Sequence, residues 1–287
     1  MIKTIENIFS PPAYHFVGDG FRVHNFIPSV IPMSRLNPFI MLDYNSPFVF
    51  PPSHQPPGVG VHPHRGFETV TIAYQGKVAH HDSAGNSGVI GEGEVQWMTA
   101  ASGVLHKEYH EKGFALQGGT FQMVQLWVNL PADFKMSPPK YQAITREQIV
   151  KVDLDFNGHV EIIAGQYQGH QGPASTFTPV NLINVYLKTG GHAQLSFDLN
   201  DNTAMLVVKG SITILGQKIP TDHIVVFQPD GTDIHISTEE DSIVLFMSAE
   251  PLNEPIAAYG PFVMNTREEI MQAYQDFQQG KFGHLEE

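Results

Sequence analysis

Two pairs of polar residues in the first half of the chain share one spacing. His62 and His64 are two positions apart, and so are His106 and Glu108. Because residues i and i+2 of a β-strand point to the same face, each pair can direct two side chains to one point. Three imidazoles and one carboxylate suit a first-row divalent metal with open positions. This donor set favours Fe(II), Mn, Ni, Cu or Zn over Ca or Mg.

The residues around these pairs predict short strands joined by tight turns. Apolar residues alternate in ETVTIAY, and turns are expected at Gly76 and Gly85. Pro63 fixes the backbone φ angle between the first two histidines. Gly66 and Gly103 allow another backbone segment to approach closely. A β-barrel is therefore expected to hold the four ligands.

The length and composition favour two all-β domains. A chain of 287 residues with 26 Gly and 21 Pro supplies two cores and many turns. The Pro-rich run PADFKMSPPKYQ marks the junction, so we predict domains at 1–135 and 136–287. Near the C-terminus, Thr266 and Glu269 form a capping-box pattern and Gly280 is a natural stop, which predicts one short helix.

Charge and cysteine content exclude several classes of function. The net charge is −13 and no basic run occurs, so direct nucleic-acid binding is not expected. The absence of cysteine removes disulfides, thiolate ligands and cysteine nucleophiles. No apolar run reaches about 18 residues and the first residues do not resemble a signal peptide. We expect a cytoplasmic protein that does not bind membranes, with a small molecule or another protein as partner.

The second half repeats the style of the first. Aligning the turns in AYQGKV and VVKGSI places Ser196 and Asp198 at the positions of the first histidine pair. His235 falls near the place of the third histidine and has no partner. The second domain is therefore expected to hold no metal, and one metal ion is expected per chain.

Longer motifs resemble the pirin family over nearly the whole chain. The runs are HPHRGFETVTI, HHDSAGNSGVIGEGEVQWMTAASGVLHKE, LWVNLP, PPKYQ and GPFVMNTREEI. The resemblance implies two tandem cupin barrels, which are double-stranded β-helices of jelly-roll type, with iron in the first barrel. The family's metal ligands fall on His62, His64, His106 and Glu108, the four residues that the spacing indicates.

Two positions depart from the patterns of the family and its superfamily. Ala101 stands where pirins usually have glycine, which is expected to narrow the approach to the metal slightly. Glu68 occupies the carboxylate position of the first general cupin motif. We leave Glu68 out of the ligand set and expect it to accept a hydrogen bond from a ligand imidazole or from Arg65.

Other aromatic and histidine residues near the motifs have an ordinary interpretation. His80, His81 and His110 are expected at loop or strand-face positions, with pocket lining as the alternative. Phe67 and Phe121 are expected to be core residues, and the alternative is that they form walls for a flat aromatic substrate.

An open metal position in an apolar barrel can bring O₂ and an oxygen-chelating substrate together. The resemblance implies quercetin 2,3-dioxygenation, in which a flavonol ring is cleaved with loss of CO. Fe(II) is then the expected metal, and Glu108 serves both as ligand and as the base for the 3-hydroxyl proton. The substrates are a small flat aromatic molecule and O₂.

The alternative function belongs to a different class. Pirins are also associated with transcription complexes, which implies a non-catalytic, redox-sensing module whose metal tunes a protein-binding surface. A purely structural barrel is disfavoured, because four inward polar ligands without a metal would carry a large desolvation cost.

Overall fold

The computed structural model describes residues 1–287, most of which form antiparallel β-strands. The first twelve strands are β1 (Ile5–Phe9), β2 (His15–Val17), β3 (Phe21–Ile27), β4 (Phe39–Phe50), β5 (Gly58–His64), β6 (Phe67–Gln75), β7 (Val78–Asp82), β8 (Ser87–Ile90), β9 (Val95–Thr99), β10 (Val104–His110), β11 (Gly119–Asn129) and β12 (Lys140–Ile144).

Fourteen further strands follow: β13 (Val150–Leu154), β14 (Gly158–Ala164), β15 (Gln166–Tyr167), β16 (His170–Gln171), β17 (Val180–Leu187), β18 (His192–Ser196), β19 (Asn202–Lys209), β20 (Ile212–Ile214), β21 (Gln217–Ile219), β22 (Ile224–Phe227), β23 (Asp233–Ser237), β24 (Ser242–Ala249), β25 (Ala257–Tyr259) and β26 (Phe262–Met264). The helices are α1 (Met33–Leu36), α2 (Lys112–Gln117), α3 (Arg267–Gln278) and a 3-10 helix at Ala132–Phe134. None of these helices has the length and hydropathy that a membrane span requires.

The chain divides into two compact units whose composition differs from the predicted domains. The first unit contains Met1–Pro12 and Glu147–Pro251, and the second contains Ala13–Arg146 and Leu252–Glu287. The N-terminal strand β1 thus pairs with β22 in the first unit, and the C-terminal helix α3 packs on β26 in the second. Both differences arise from contacts between distant residues, such as the pairing of Ile5 with Phe227 and the ion pair of Arg65 with Asp276, which a local sequence pattern does not reveal.

The second unit is a two-sheet barrel. One sheet has the order β12-β9-β6-β11-β4-β3-β2, and the other has the order β5-β10-β7-β8. The hairpin β25-β26 and helix α3 belong to the same unit. The helix begins with the predicted capping box, since Thr266 accepts from the Glu269 amide and the Glu269 side chain accepts from the Thr266 amide.

The first unit repeats this topology strand for strand. Its sheets have the orders β1-β22-β19-β24-β17-β14-β13 and β18-β23-β20-β21. Strand β18 takes the place of β5, and β23 takes the place of β10. The prediction of an all-β protein with two tandem barrels and a short C-terminal helix is confirmed.

The interiors of the two barrels differ in chemistry. In the first unit, β18 and β23 turn Ala193, Leu195, Ile234 and Ile236 inward, and these side chains join a continuous apolar core. In the second unit, the corresponding strands turn polar side chains inward. The candidate site therefore lies in the second unit, where β5 and β10 turn polar side chains into the barrel instead of apolar ones.

Candidate metal centre

Two neighbouring strands of the second unit contribute the clustered histidines. Strand β5 pairs with β10 so that His62 lies opposite His106 and His64 lies opposite Val104. A register shift follows His106, as expected for a β-bulge beside a functional site. One nitrogen from each of His62, His64 and His106 lies within 4.8 Å of the other two. The structure thus brings together the three predicted histidines.

Two of the rings are held by backbone carbonyls. The Nδ1 atom of His62 lies 2.8 Å from the Gly60 carbonyl oxygen, and the Nδ1 atom of His64 lies 3.4 Å from that of Pro261. Because a carbonyl oxygen only accepts hydrogen bonds, both Nδ1 atoms must carry the proton. The Nε2 lone pair of each ring is then available for a metal.

The third ring, that of His106, also has a free Nε2 atom. The Nδ1 atom of His106 lies 3.4 Å from the Nδ1 atom of His80. The Nε2 atom of His106 is buried and has no hydrogen-bond partner. A buried polar atom without a partner costs about 1–3 kcal/mol, and a metal ion would satisfy it. The three histidines therefore fit a metal ion.

Burial keeps two of these ligands neutral. It lowers the pKa of His64 well below its usual range, and the neighbouring His62 adds to the shift. Burial also lowers the pKa of His106 well below its usual range, with further contributions from His62, His64 and His80. A neutral imidazole keeps the lone pair that a metal needs.

Glu108 lies at the edge of the three-histidine group. Its carboxylate shares a second group with His80 and His106, again with ligand atoms within 4.8 Å of one another. The Oε2 atom accepts from Gln125 Nε2 at 2.8 Å, and Oε1 accepts from Gln96 Nε2. A carboxylate has about four lone-pair sites, so these bonds leave capacity for a metal or a proton.

A small cavity adjoins this group. It has a volume of about 30 Å³. The lining residues are Val17, Phe21, Val23, Asp43, Val59, His62, Glu108, Met123 and Gln125. Polar ligands thus face a cavity whose other walls are mainly apolar. Asp43 is the other acidic residue in this lining, and burial raises the pKa of its carboxyl group.

The interpretation of His80 as an ordinary strand-face residue is wrong. His80 is fully buried behind His106, and its Nε2 atom lies 3.2 Å from Asp82 Oδ2. The spacing of His80 and Asp82 repeats the spacing of the ligand pairs, and this signal could have identified them. His81, between them, is exposed.

His110 is buried among core residues. Its ring stacks on Phe121 with centroids 4.4 Å apart, and its Nε2 atom donates to the Gly20 carbonyl at 2.8 Å. Phe67 is also a core residue, stacked on Trp127 at 4.1 Å. Neither phenylalanine lines the cavity beside the histidines, so the ordinary interpretation of both is confirmed.

The expected role of Glu68 is wrong. Its carboxylate accepts from Thr99 Oγ1 at 2.7 Å, whereas Arg65 pairs with Asp276 at 2.9 Å. Glu68 is three residues from Thr71, which contacts Glu108, so strand alternation places it on the opposite face from the cluster. Burial raises the pKa of Glu68 to about 7.

Ala101 has a backbone conformation that glycine adopts more easily than alanine. Its φ angle is +42°, in the left-handed region that favours glycine. Its side chain is buried in the turn after β9 and is absent from the cavity lining.

The corresponding residues of the first unit do not form a cluster. Ser196 is exposed and donates to Asp233 at 2.7 Å. His235 and Asp198 are exposed as well. The same unit has wider surface hollows, one of about 540 Å³ lined by Asp153, Gln166, His192 and other residues. These hollows lack a converging set of ligands, so we assign the chemistry to the small cavity in the second unit.

The fold and the site define a class of protein. Two tandem barrels of this topology, one of them carrying inward histidines, make the chain a bicupin. A family model described as Pirin matches residues 20–128, and one described as Pirin C-terminal cupin domain matches residues 182–283. A protein of Pseudomonas aeruginosa, provisionally named a quercetin 2,3-dioxygenase, is 46% identical over 98% of this chain and 99% of its own. The chain belongs to the pirin family.

Solved structures agree with this assignment. A crystal structure of quercetin 2,3-dioxygenase from Acinetobacter baumannii has a TM-score of 0.95 and 44% identity, and all of both chains is covered. The bacterial pirin YhhW of Escherichia coli, solved in complex with nickel(II), has a TM-score of 0.65. It is 20% identical, with coverage of 86% of this chain and 100% of its own, and supports the fold alone.

Proposed function

We propose that the protein is a metal-dependent dioxygenase of the quercetin 2,3-dioxygenase type, which cleaves flavonols with O₂. One observation carries the proposal. Three imidazoles converge inside a barrel, and the Nδ1 atom of each has a hydrogen-bond partner, so that each Nε2 is free. The names of the relatives from Pseudomonas and Acinetobacter support the same reaction.

The metal would be held by His62, His64 and His106, with Glu108 as the fourth ligand. Fe(II) is the metal we propose, and Mn, Ni, Cu and Zn suit the same donors. When bound, such a metal supplies Lewis-acid polarisation of the substrate oxygens and, for iron, access to redox chemistry with O₂.

Glu108 is proposed as the general base. Its carboxylate takes the proton of the flavonol 3-hydroxyl, and Gln96 and Gln125 hold the carboxylate in place while it does so. The overall reaction consumes one flavonol and one O₂ and releases one CO and a ring-opened ester. The apolar walls of the cavity exclude water from the reacting edge of the substrate.

The size of the cavity limits how a flavonol binds. A volume of about 30 Å³ admits a molecule the size of water or O₂. The hydroxyl-bearing edge of a flavonol must therefore enter first, and the side chains of Val17, Phe21 and Val59 must move apart. Truncating Phe21 to alanine is expected to lower KM for the flavonol more than it changes kcat.

The test is turnover that depends on added metal. The metal-free protein is loaded separately with Fe(II), Mn, Ni, Cu or Zn, and loss of flavonol absorbance is followed together with O₂ uptake and CO release. We expect one CO for each O₂ consumed, and no turnover in His62→Ala. Wild-type protein that binds metal and consumes no flavonol would contradict the proposal.

The narrow cavity also favours a second candidate, a non-catalytic sensor whose metal changes oxidation state and alters a surface that binds another protein. The acidic chain, with net charge −13, would suit a basic partner. Metal-dependent binding of a partner without flavonol turnover is the outcome that this candidate predicts.

A further inference from the structure

A second histidine stands directly behind a proposed metal ligand. His80 Nδ1 lies 3.4 Å from His106 Nδ1, and His80 Nε2 lies 3.2 Å from Asp82 Oδ2. All three side chains are buried. The atoms form one continuous chain that begins at the free Nε2 of His106 and ends at the Asp82 carboxylate.

The hydrogen bonds of this chain determine which nitrogens carry protons. The Asp82 carboxylate only accepts, so His80 carries its proton on Nε2 and keeps a lone pair on Nδ1. That lone pair accepts the Nδ1 proton of His106. His106 is thereby left with a lone pair on Nε2, the nitrogen that has no partner in the structure.

Two further contacts hold the pair in place. The Tyr141 ring stacks on His80 with centroids 4.9 Å apart and an interplanar angle of 15°. Asp82 Oδ1 accepts from the amides of Ala84 and Asn86, each at 2.9 Å, which fixes the carboxylate in its turn. These contacts restrain the His80 ring and the Asp82 carboxylate.

We propose that His80 and Asp82 are positioning residues for the metal ligand His106, fixing its tautomer and ring orientation through this hydrogen-bonded chain. His62 and His64 use backbone carbonyls for the same purpose, whereas His106 uses a side-chain pair that mutation can remove. The inference rests on the metal centre of the proposed function and does not depend on flavonol turnover.

The first experiment compares metal affinity by chelator competition. His80→Phe keeps a ring to stack on Tyr141 and removes both nitrogens, and we expect a 10- to 100-fold loss of affinity. His80→Asn places an acceptor oxygen near the position of Nδ1 and is expected to restore most of the affinity. His81→Gln changes the exposed neighbour and is the matched control, with wild-type affinity expected.

Asp82→Asn tests the far end of the chain without touching a ligand. The Oδ1 position must remain oxygen because backbone amides donate to it, so the new amide nitrogen faces His80 Nε2. His80 must then carry its proton on Nδ1, where it opposes the Nδ1 proton of His106. We expect a loss of affinity similar to that of His80→Phe.

The second readout is spectroscopic. In the Co(II)-loaded wild type we expect three hyperfine-shifted, exchangeable Nδ1–H proton resonances, one from each ligated imidazole. In His80→Phe one of the three should shift or be lost, and the other two should stay. Far-UV circular dichroism and the Tm of the metal-free variants test folding, and Asp82→Asn provides the test if His80→Phe does not fold.

The outcomes separate this inference from the proposed function. Wild-type affinity and three unchanged resonances in both His80→Phe and Asp82→Asn would overturn the inference and leave the metal centre intact. Absence of metal binding in the wild type would overturn both. Loss of affinity in the variants of a wild type that consumes no flavonol would support the inference and contradict the dioxygenase.

Discussion

The Nδ1 atom of His64 lies 3.4 Å from the carbonyl oxygen of Pro261, a residue 197 positions later in the chain. Pro261 lies in the turn between β25 and β26, which belongs to the second unit. This turn comes after all of the first unit in sequence, and yet it orients a proposed metal ligand of the second unit. The neighbouring Arg65 strengthens the same connection, because its guanidinium pairs with Asp276 of α3 at 2.9 Å. The C-terminal segment is therefore part of the site.

The ion pair between Arg65 and Asp276 is expected to stabilise this arrangement. Their side chains are 5% and 10% exposed, so Asp276→Asn leaves a nearly buried guanidinium without its counter-charge. We expect a loss of about 3 kcal/mol in the free energy of unfolding. The matched control is Asp241→Asn, whose partner Lys188 is 73% exposed, and the expected loss there is much smaller because solvent screens the pair. Urea unfolding measures both, and equal losses would contradict the prediction.

The effect of Asp276 should depend on pH in a defined direction. Hydrogen bonds from Lys281, Arg65 and Gln272 hold the pKa of Asp276 below its usual value. A carboxyl group with a depressed pKa contributes stability above its unfolded pKa of about 3.9, and this contribution is lost as the pH falls towards its folded pKa. The difference between wild type and Asp276→Asn should therefore be full at pH 7 and decrease below about pH 4. A difference that grows as the pH falls would contradict this assignment.

Gly66, two residues after His64, permits close packing by β26. Its φ angle is +91°, and an added Cβ would lie 1.9 Å from the Val263 carbonyl oxygen. Gly66→Ala must displace β26 and with it the Pro261 carbonyl, so we expect reduced Tm and weaker metal binding. Gly85 has a similar φ of +89°, but a Cβ added there would have no other atom within 4 Å. Gly85→Ala therefore measures the cost of the backbone strain alone, about 1 kcal/mol. Equal losses of Tm in the two variants would show that close approach at Gly66 is unimportant.

The local part of the site could be predicted from sequence. The i, i+2 spacing of His62 and His64, and of His106 and Glu108, follows from strand alternation alone. The prediction of a close backbone approach at Gly66 is confirmed by the carbonyl of Val263. The all-β class and the C-terminal helix follow from turn residues and a capping box, which are also local signals.

The remainder depends on contacts between distant residues. Nothing near His64 in sequence indicates the Pro261 carbonyl, because a backbone acceptor has no residue signature. The boundary prediction placed β1 and α3 with their sequence neighbours, whereas sheet pairing and helix packing place each in the other unit. The burial of His80 escapes prediction for a different reason. Its spacing from Asp82 was visible, but its burial against His106 depends on the pairing of β7 with β10.

Metal content gives the most direct test of the ligand set. We expect close to one first-row metal per chain in the wild type, and loss of most of it in His62→Ala or His106→Ala. The chain should remain folded, because neither histidine belongs to the apolar clusters of the barrel. His235→Ala is the control and should leave metal content unchanged, since His235 lies on an exposed strand face. Elemental analysis after dialysis measures the content, and two retained equivalents would contradict a single site.

Glu108→Gln separates proton transfer from metal binding. The amide keeps an oxygen that can ligate the metal, but it replaces an anionic base with a neutral group. A general base is typically worth about 10²- to 10⁴-fold, so flavonol turnover should fall in that range while metal occupancy falls much less. Glu92→Gln makes the same chemical change at an exposed position and should retain wild-type turnover. A Glu108→Gln variant that keeps both its metal and its wild-type turnover would show that another group accepts the proton. Asp43 is then the first residue to test, because its carboxyl group lines the same cavity.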